Sequence, residues 1–202
     1  NGKANSLAYT FGISRNATLG GRIFPRGGSN FEVTAKFTPP WSLFSDKDYR
    51  ELQNRSKELD DKKNIQGLTA AENVELENID QERFRLLEYY KVKFKGDWYT
   101  TLVDKLVLRS NAEFGFLGSY NSAVGNVPFE RFYVGGDGLG NFTLDGRDVV
   151  ALRGYDNQSI TPYADGATSP DGALIYNKFS LELRYPLTLK PSASIYGLAF
   201  LE

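Results

Sequence analysis

The chain has 202 residues, with 24 Lys or Arg, 25 Asp or Glu, and no Cys, His or Met. Within these residues, disulfide bonds, thiolate or imidazole metal ligands, and catalytic triads that use histidine are excluded. Because the two signs of charge nearly cancel, a nucleic-acid partner has no electrostatic support.

Two strands are predicted before residue 40, because apolar and polar side chains alternate in two segments. The first segment is SLAYTFGIS, residues 6–14, and the second is NFEVTAKFT, residues 30–38. A period of two is typical of a strand that has one apolar and one polar face. The polar face of the second strand includes Lys36, and a turn over residues 15–29 is expected to join the two strands.

A long connection follows over about residues 39–88, and we call it the charged connection. Nearly half of residues 46–88 are Asp, Glu, Lys or Arg. Thr69 and Glu72 form a capping-box pattern before AAENVELENIDQERFRLLEYY, which predicts one or two helices. We expect a solvated excursion on the surface, where it can contact surface partners.

Two further strands are predicted in YYKVKFKGDW, residues 89–98, and KLVLRSNAEFGF, residues 105–116. A short turn near residues 99–104 is expected between them. The polar faces of these strands carry Lys93, Arg109 and Glu113, and the opposite faces carry Phe94 and Leu108.

A second long connection, over about residues 118–176, is rich in glycine, and we call it the glycine-rich connection. It is followed by a fifth predicted strand, KFSLELRYP, a short turn, LTLKPSA, and a sixth strand, SASIYGLAFLE, that alternates poorly. Glu182 and Arg184 share the polar face of the fifth strand.

Strand length and the order of the connections favour a membrane protein. The predicted strands run for about nine to thirteen residues, whereas soluble strands have about five or six and tilted membrane-spanning strands about nine to eleven. Short and long connections alternate, which places both long connections at one rim of an antiparallel meander, as in outer-membrane barrels. The predicted fold class is therefore all-β, an antiparallel transmembrane β-barrel of which this chain supplies about six strands.

The two faces of each strand then have different surroundings. In a membrane barrel, the polar residues face a hydrated lumen and the apolar residues face lipid; the former include Lys36, Lys93, Arg109 and Glu113, and the latter Phe11, Val33, Phe94 and Leu108. A soluble β-sandwich would instead bury the apolar residues in a core, and this alternative stays open. Six strands alone would leave unpaired edges in lipid, so we expect the chain to be a piece of a longer protein.

Arg153, Gly154 and Tyr155 stand in a row in the glycine-rich connection. A guanidinium group is a planar fork that matches a carboxylate, glycine allows a sharp turn, and tyrosine can pack beside the guanidinium. If the connection folds into a polar lumen, Arg153 can reach Glu182 or Glu202 there. The alternative is an arginine on the surface of a solvated loop.

Several of these segments resemble a known family. FERFYVGGDGLG and ALRGYDNQSI, followed by FSLELRYPL and IYGLAFLE, resemble the barrel of the BamA family of outer-membrane protein assembly factors. GRIFPRGGSNFEV, EYYKVKFKGDWYTTL and KLVLRSNAEFGFL resemble earlier parts of the same barrel. The resemblance covers nearly all of the chain, and the combination of FYVGG with RGY is fairly specific to the superfamily, which also includes TamA, Sam and Toc proteins.

This resemblance implies a barrel of sixteen strands, of which the chain would supply roughly the eighth to the thirteenth. The strands of the lateral gate and the periplasmic POTRA domains would lie outside it. Arg153, Gly154 and Tyr155 match the family's loop motif, and Glu182 and Glu202 match its acidic partners, with glutamate in place of aspartate at 202. The additional segment LGNFTLDGRD and the long charged connection depart from the family pattern.

The function implied by the resemblance is the folding and insertion of β-barrel proteins into the outer membrane of a Gram-negative bacterium. The expected partners are unfolded barrel clients, accessory lipoproteins, surface subunits of the assembly complex and the lipid bilayer. No cofactor is implied, and the protein is not expected to be an enzyme. A related polypeptide-translocating pore, of the two-partner secretion or TamA type, is the alternative. A soluble β-sandwich that acts as a binding module is the third hypothesis.

Other chemistry finds little support in the sequence. GGDGLGN lacks the last glycine of a dinucleotide-binding fingerprint. Asp137, Asp145 and Asp148 do not have the spacing of a calcium loop, so no metal site is expected. An outer-membrane lipase would need a histidine beside its serine, and the chain has no histidine.

Overall fold

The computed structural model describes residues 4–137, 147–163, 170–190 and 192–202. Six long strands form one antiparallel sheet in the order β1-β2-β3-β4-β7-β8. Their bounds are Tyr9–Gly20 for β1, Pro25–Phe37 for β2, Tyr90–Val103 for β3, Leu106–Gly118 for β4, Ile175–Lys190 for β7 and Ala193–Leu201 for β8. The six predicted strands are all present, and the mostly antiparallel β-fold is confirmed. Within the described residues the sheet is open, with β1 and β8 at its edges.

The first turn is much tighter than the sequence predicts. Residues 15–29 were expected to form a turn, but β1 and β2 pair through most of this range, with Thr18 opposite Gly28. Gly28 has a φ of +86°, and a Cβ atom there would lie 2.1 Å from the carbonyl oxygen of Ala17. Glycine is therefore required by a close approach within the sheet, and not by a loop.

The charged connection contains two α-helices and one short 3₁₀ helix. A short 3₁₀ helix, Trp41–Phe44, precedes α1, Tyr49–Gln66, and α2, Ala70–Arg83. The capping box predicted at Thr69 and Glu72 is present at the start of α2. Ion pairs join the two helices, including one between Arg55 and Glu75 at 2.7 Å. Among the described residues, neither helix is long and apolar enough to cross a membrane.

The glycine-rich connection folds back over one face of the sheet. It contains two short parallel strands, β5 at Phe132–Val134 and β6 at Asp148–Val150. The segment around the Arg-Gly-Tyr motif is thus next to a strand, which the sequence did not indicate. Most of the additional segment LGNFTLDGRD lies outside the described residues. A small apolar core forms beneath the connection; its buried members are Leu87, Tyr89, Leu117, Val127, Phe132 and Val150.

The strand register separates the side chains onto two faces of opposite character. Lys93, Arg109 and Glu182 lie on one face, which we call the polar face and which the glycine-rich connection covers. Phe94, Phe114 and the residues in phase with them lie on the other, which we call the apolar face. Large side chains remain exposed on the apolar face, and Phe179, for example, is 60 % exposed. The poor alternation of β8 arises because Tyr196 and Phe200 lie on the polar face, opposite Pro186 and Glu182.

Candidate functional site

The carboxylate of Glu182 is the centre of a charged cluster on the polar face. Glu182 is only 1 % exposed. It accepts hydrogen bonds from Arg109 at 3.0 Å, Arg153 at 2.7 Å and Arg184 at 2.8 Å. Arg109 is its direct cross-strand neighbour on β4, and Arg184 follows it on the same face of β7. Three cations from separate parts of the chain compensate the cost of burying one carboxylate.

Arg153 also contacts Glu202, just beyond the end of β8. Its Nε and Nη2 atoms donate to Oε1 of Glu202 at 2.9 and 2.6 Å, and its backbone N–H donates to Oε2 at 2.8 Å. The hydrogen bond to Glu202 is the main cause that raises the pKa of Arg153, and the bond to Glu182 adds to it. The two glutamates therefore hold both the side chain and the backbone of Arg153.

Aromatic contact to Arg153 comes from a residue that the sequence interpretation did not single out. The guanidinium carbon lies 3.9 Å from the centre of the Phe200 ring. Tyr155, which the sequence suggests can pack beside the guanidinium, is 48 % exposed. Gly154 has a φ of +86°, and open space surrounds the position of its missing Cβ. Glycine is needed here for its backbone conformation alone.

The contact with Glu182 lies deep along the sheet. Glu182 follows the first residue of β7, Ile175, by seven positions. At about 3.4 Å per residue, Glu182 lies roughly 24 Å along β7 from the rim where that strand begins. The connection therefore runs a long way down the polar face before it reaches the glutamates.

Arg109, predicted on the polar face, links Glu182 to a third acidic residue. Its guanidinium donates to Asp97 on β3 at 2.8 Å, and Asn111 donates to the same oxygen at 3.1 Å. The sequence placed Asp97 and Arg184 on the correct face, yet neither they nor Phe200 were identified as part of the site. Shared parity was the available signal, and it does not indicate which residues touch.

The lysines predicted on the polar face contact the glycine-rich connection. Lys36 donates to Glu130 at 2.6 Å, and Lys93 donates to Asp148 at 3.0 Å. Lys91, which the sequence interpretation did not select as a site residue, is 2.9 Å from Asp148. Burial alone would raise the pKa of Asp148, but the charge of Lys91 and hydrogen bonds from both neighbouring lysines lower it.

The remaining predicted residue, Glu113, forms an ion pair with Lys95 at 3.3 Å on the same face. Asp148, one of the three aspartates that lack the spacing of a calcium loop, has its carboxylate bound by Lys91 and Lys93. Asp145 lies outside the described residues. Many of the described contacts of this face are ion pairs and hydrogen bonds between a folded connection and the strands, an arrangement suited to holding a segment of chain in place.

A family model described as the Omp85 superfamily domain matches residues 1–202. Among curated proteins, none matches the chain.

Proposed function

Because the chain belongs to the Omp85 superfamily, we propose that it forms part of the transmembrane barrel of a BamA-type assembly factor in the outer membrane of a Gram-negative bacterium. The superfamily includes proteins that insert outer-membrane proteins and pores that translocate polypeptides. In this proposal the barrel of the full-length protein has sixteen strands, to which the chain contributes six.

The exposed apolar face is the observation that carries the proposal. A soluble sheet would bury such a face in a core, whereas a membrane barrel turns it to lipid. The strands are also long enough to span a bilayer; β2 and β4, for example, each have 13 residues. Aromatic side chains cluster near the rim that carries the two long connections, as expected for an interfacial aromatic girdle. The centre of the Tyr90 ring lies 5.7 Å from that of Phe116 and 5.3 Å from that of Tyr120.

The polar face supports a lumen that is filled by the glycine-rich connection. Lys36, Lys93, Arg109 and Glu113 all lie on this face, and three of them participate in contacts that involve that connection or its glutamate partners. The open edges at β1 and β8 would leave backbone groups unpaired in lipid, so in the membrane each edge must pair with another strand.

In this function the chain acts as a scaffold and as a lock. Arg153, Gly154 and Tyr155 form the turn that brings the guanidinium to Glu182 and Glu202, and the contact orders the connection inside the lumen. Incoming barrel clients would be templated by edge pairing of strands outside this chain. Accessory lipoproteins and surface subunits of the assembly complex are further proposed partners, and the charged connection offers a surface that surface subunits can contact. The proposed activity involves no covalent chemistry and no cofactor.

Depletion of the full-length protein tests the proposal. If it is an assembly factor, many unrelated barrel proteins disappear from the outer membrane, and a plasmid copy restores them. If it is a translocation pore, barrel proteins remain at normal levels and one or a few exported polypeptides accumulate in the periplasm. Recovery of the full-length protein in the soluble fraction, without detergent, would overturn both membrane functions.

A further inference from the structure

We propose that the glycine-rich connection has a second anchor of opposite charge, and that this anchor positions Arg153 for its contact with the glutamates. The second anchor is the lysine column, which consists of Lys36 on β2 and Lys91 and Lys93 on β3. It binds Glu130 and Asp148 of the connection. Its role in the lock rests on the proposed function, whereas the anchor itself rests on geometry alone.

Lys91 is the central member of the lysine column. It is 5 % exposed, and its Nζ atom contacts the Glu130 backbone carbonyl at 2.8 Å, the Glu130 carboxylate at 3.4 Å and Asp148 at 2.9 Å. Lys36 forms an ion pair with the carboxylate of Glu130, and Lys93 forms one with the carboxylate of Asp148. Two partly buried carboxylates and three lysines thus compensate one another, which makes either partner costly to remove alone.

An apolar floor beneath these ion pairs adds to the anchor. Phe132 is fully buried, and its ring lies 4.8 Å from that of Tyr176 and 4.6 Å from Nζ of Lys91. Gly115 makes this packing possible, because a Cβ atom there would lie 2.2 Å from the Tyr176 ring and 2.7 Å from Phe132. The sheet therefore has a space that is shaped for this part of the connection.

The segment that carries Arg153 is attached to this anchored part at both of its ends. On one side, the backbone N–H of Leu152 donates to the carbonyl of Gly136 at 2.8 Å. On the other, the hydroxyl of Thr161, which is buried, bonds the N–H of Val134 at 2.8 Å. We call residues 127–137 and 147–152 the base, and residues 153–160 the tip.

The base and the tip differ in what holds them. The base is held by its own buried apolar residues, among them Val127 and Val150, and by ion pairs with the lysine column on the strands. The tip has Arg153, whose side chain is 37 % exposed, and its neighbours Tyr155 and Ile160 are exposed. Release of Arg153 therefore breaks contacts of the tip only, whereas loss of the lysine column removes the platform from which Arg153 reaches Glu182. Docking of Arg153 therefore depends on the lysine column, whereas docking of the base on the lysine column does not depend on Arg153.

Distances between pairs of spin labels can measure this one-sided dependence in the full-length protein, reconstituted in lipid with the introduced cysteines as its only ones. The base pair of labels joins Phe129→Cys, an exposed site beside Glu130, to Lys190→Cys at the far end of β7. The tip pair joins Tyr155→Cys to the same Lys190→Cys. Each pair is expected to give one narrow distance in the otherwise unchanged protein.

Two changes to the connection then separate the anchors. Arg153→Ala is expected to abolish the narrow tip distance and to leave the base distance unchanged. Glu130→Gln combined with Asp148→Asn is expected to abolish both narrow distances. The proposal is overturned if Arg153→Ala disperses the base distance as well, or if the Glu130 and Asp148 changes leave the base distance narrow.

Changes on the strand side provide a rescue and a control. Lys91→Met should disperse both distances, and Lys91→Arg should restore them in part, because it returns the positive charge but not the compact shape of the ammonium group. Lys95→Met is the matched control, since Lys95 lies on the same face of β3 and its ion pair is with Glu113. If Lys95→Met disperses the base distance as much as Lys91→Met, the lysine column is not the anchor. The distance measurements do not require assembly activity. They therefore test the anchor even if the assembly assay contradicts the proposed function.

Discussion

The side chains of Arg153 and Glu182 lie 2.7 Å apart, although 29 positions separate them along the chain. Arg153 belongs to a long connection between strands, and Glu182 lies within the strand that follows it. The connection must therefore turn back along the polar face of the sheet before β7 begins. Substitution of Arg153, or of a residue in contact with it, should therefore change how the connection docks on the sheet.

Arg153→Ala should release the tip of the glycine-rich connection. The loss of hydrogen bonds from a partly exposed guanidinium to two buried carboxylates should cost about 1–3 kcal/mol in docking free energy. Protease cleavage of the connection should become faster, and barrel proteins should decrease in the outer membrane. Arg153→Lys should recover only part of the resistance to protease, because an ammonium group cannot make the forked contact. Full recovery with lysine would show that charge alone is sufficient.

Phe200→Leu should weaken docking of Arg153, whereas Tyr155→Leu should have little effect. The guanidinium stacks on the Phe200 ring, and such a contact contributes about 0.5–2 kcal/mol. Tyr155 is exposed beside the same arginine, so it provides the matched control. The rate of protease cleavage in the connection compares the two variants. A larger effect of the Tyr155 change would contradict the observed stacking.

Glu182→Gln should destabilise the folded barrel more than Glu113→Gln does. Glu182 compensates three arginines, and removal of one partner from a buried charge pair costs about 3–5 kcal/mol. Glu113 lies on the same face but pairs with the exposed Lys95. The temperature at which the full-length protein loses its compact electrophoretic form in detergent measures the difference. Equal melting temperatures for the two variants would argue against Glu182 as the centre of the cluster.

Cysteine labelling in membranes should distinguish the two faces of β3. Phe94→Cys should react slowly with a water-soluble thiol reagent because it faces lipid, whereas Lys95→Cys, on the polar face, should react quickly. Phe114→Arg, on the apolar face of β4, should cost about 2–4 kcal/mol if it lies near the middle of the bilayer. Similar reaction rates at positions 94 and 95 would mean that lipid does not cover the apolar face.

The base of the glycine-rich connection should stay docked in mild acid and should detach only at lower pH. Burial would raise the pKa of Glu130, but hydrogen bonds from Lys36 and Tyr89 outweigh it and lower that pKa below its ordinary value of 4.5. A carboxyl whose pKa is lowered on docking contributes its full stabilisation above the undocked pKa, and loses it as the pH falls through the docked pKa.

A fluorophore on Phe129→Cys, next to Glu130, can follow this transition. We expect a change in emission whose midpoint lies below pH 4.5. Glu130→Gln should reduce the pH dependence, because the amide does not titrate. A midpoint above the ordinary carboxyl range, or one that is unchanged by Glu130→Gln, would assign the transition to another group.

Much of the sheet follows from local sequence patterns. A strand places successive side chains on opposite faces, so alternation was sufficient to identify five of the six strands and to assign Lys93, Arg109 and Glu182 to one face. The capping box at Thr69 was equally readable, because its two residues are three positions apart and each side chain bonds the backbone of the other. The sequence indicated a turn over residues 15–29, but the connection is confined to residues 21–24 because the strands extend through the rest of that range, where Gly28 approaches Ala17 closely.

The family resemblance implied that Glu182 and Glu202 are the partners of Arg153, but only the tertiary structure decided which of the other polar residues meet. Alternation assigns a face, but it does not fix the path of a long connection over that face. Lys91 and Asp148 are brought together by the packing of Phe132 against Gly115 and Tyr176, and Phe200 meets Arg153 because β8 pairs with β7 in one register. These contacts join residues far apart in the chain, and their geometry depends on the whole sheet. Identification of the face was therefore a property of the sequence, whereas identification of the partners, apart from the two glutamates that bind Arg153, required the fold.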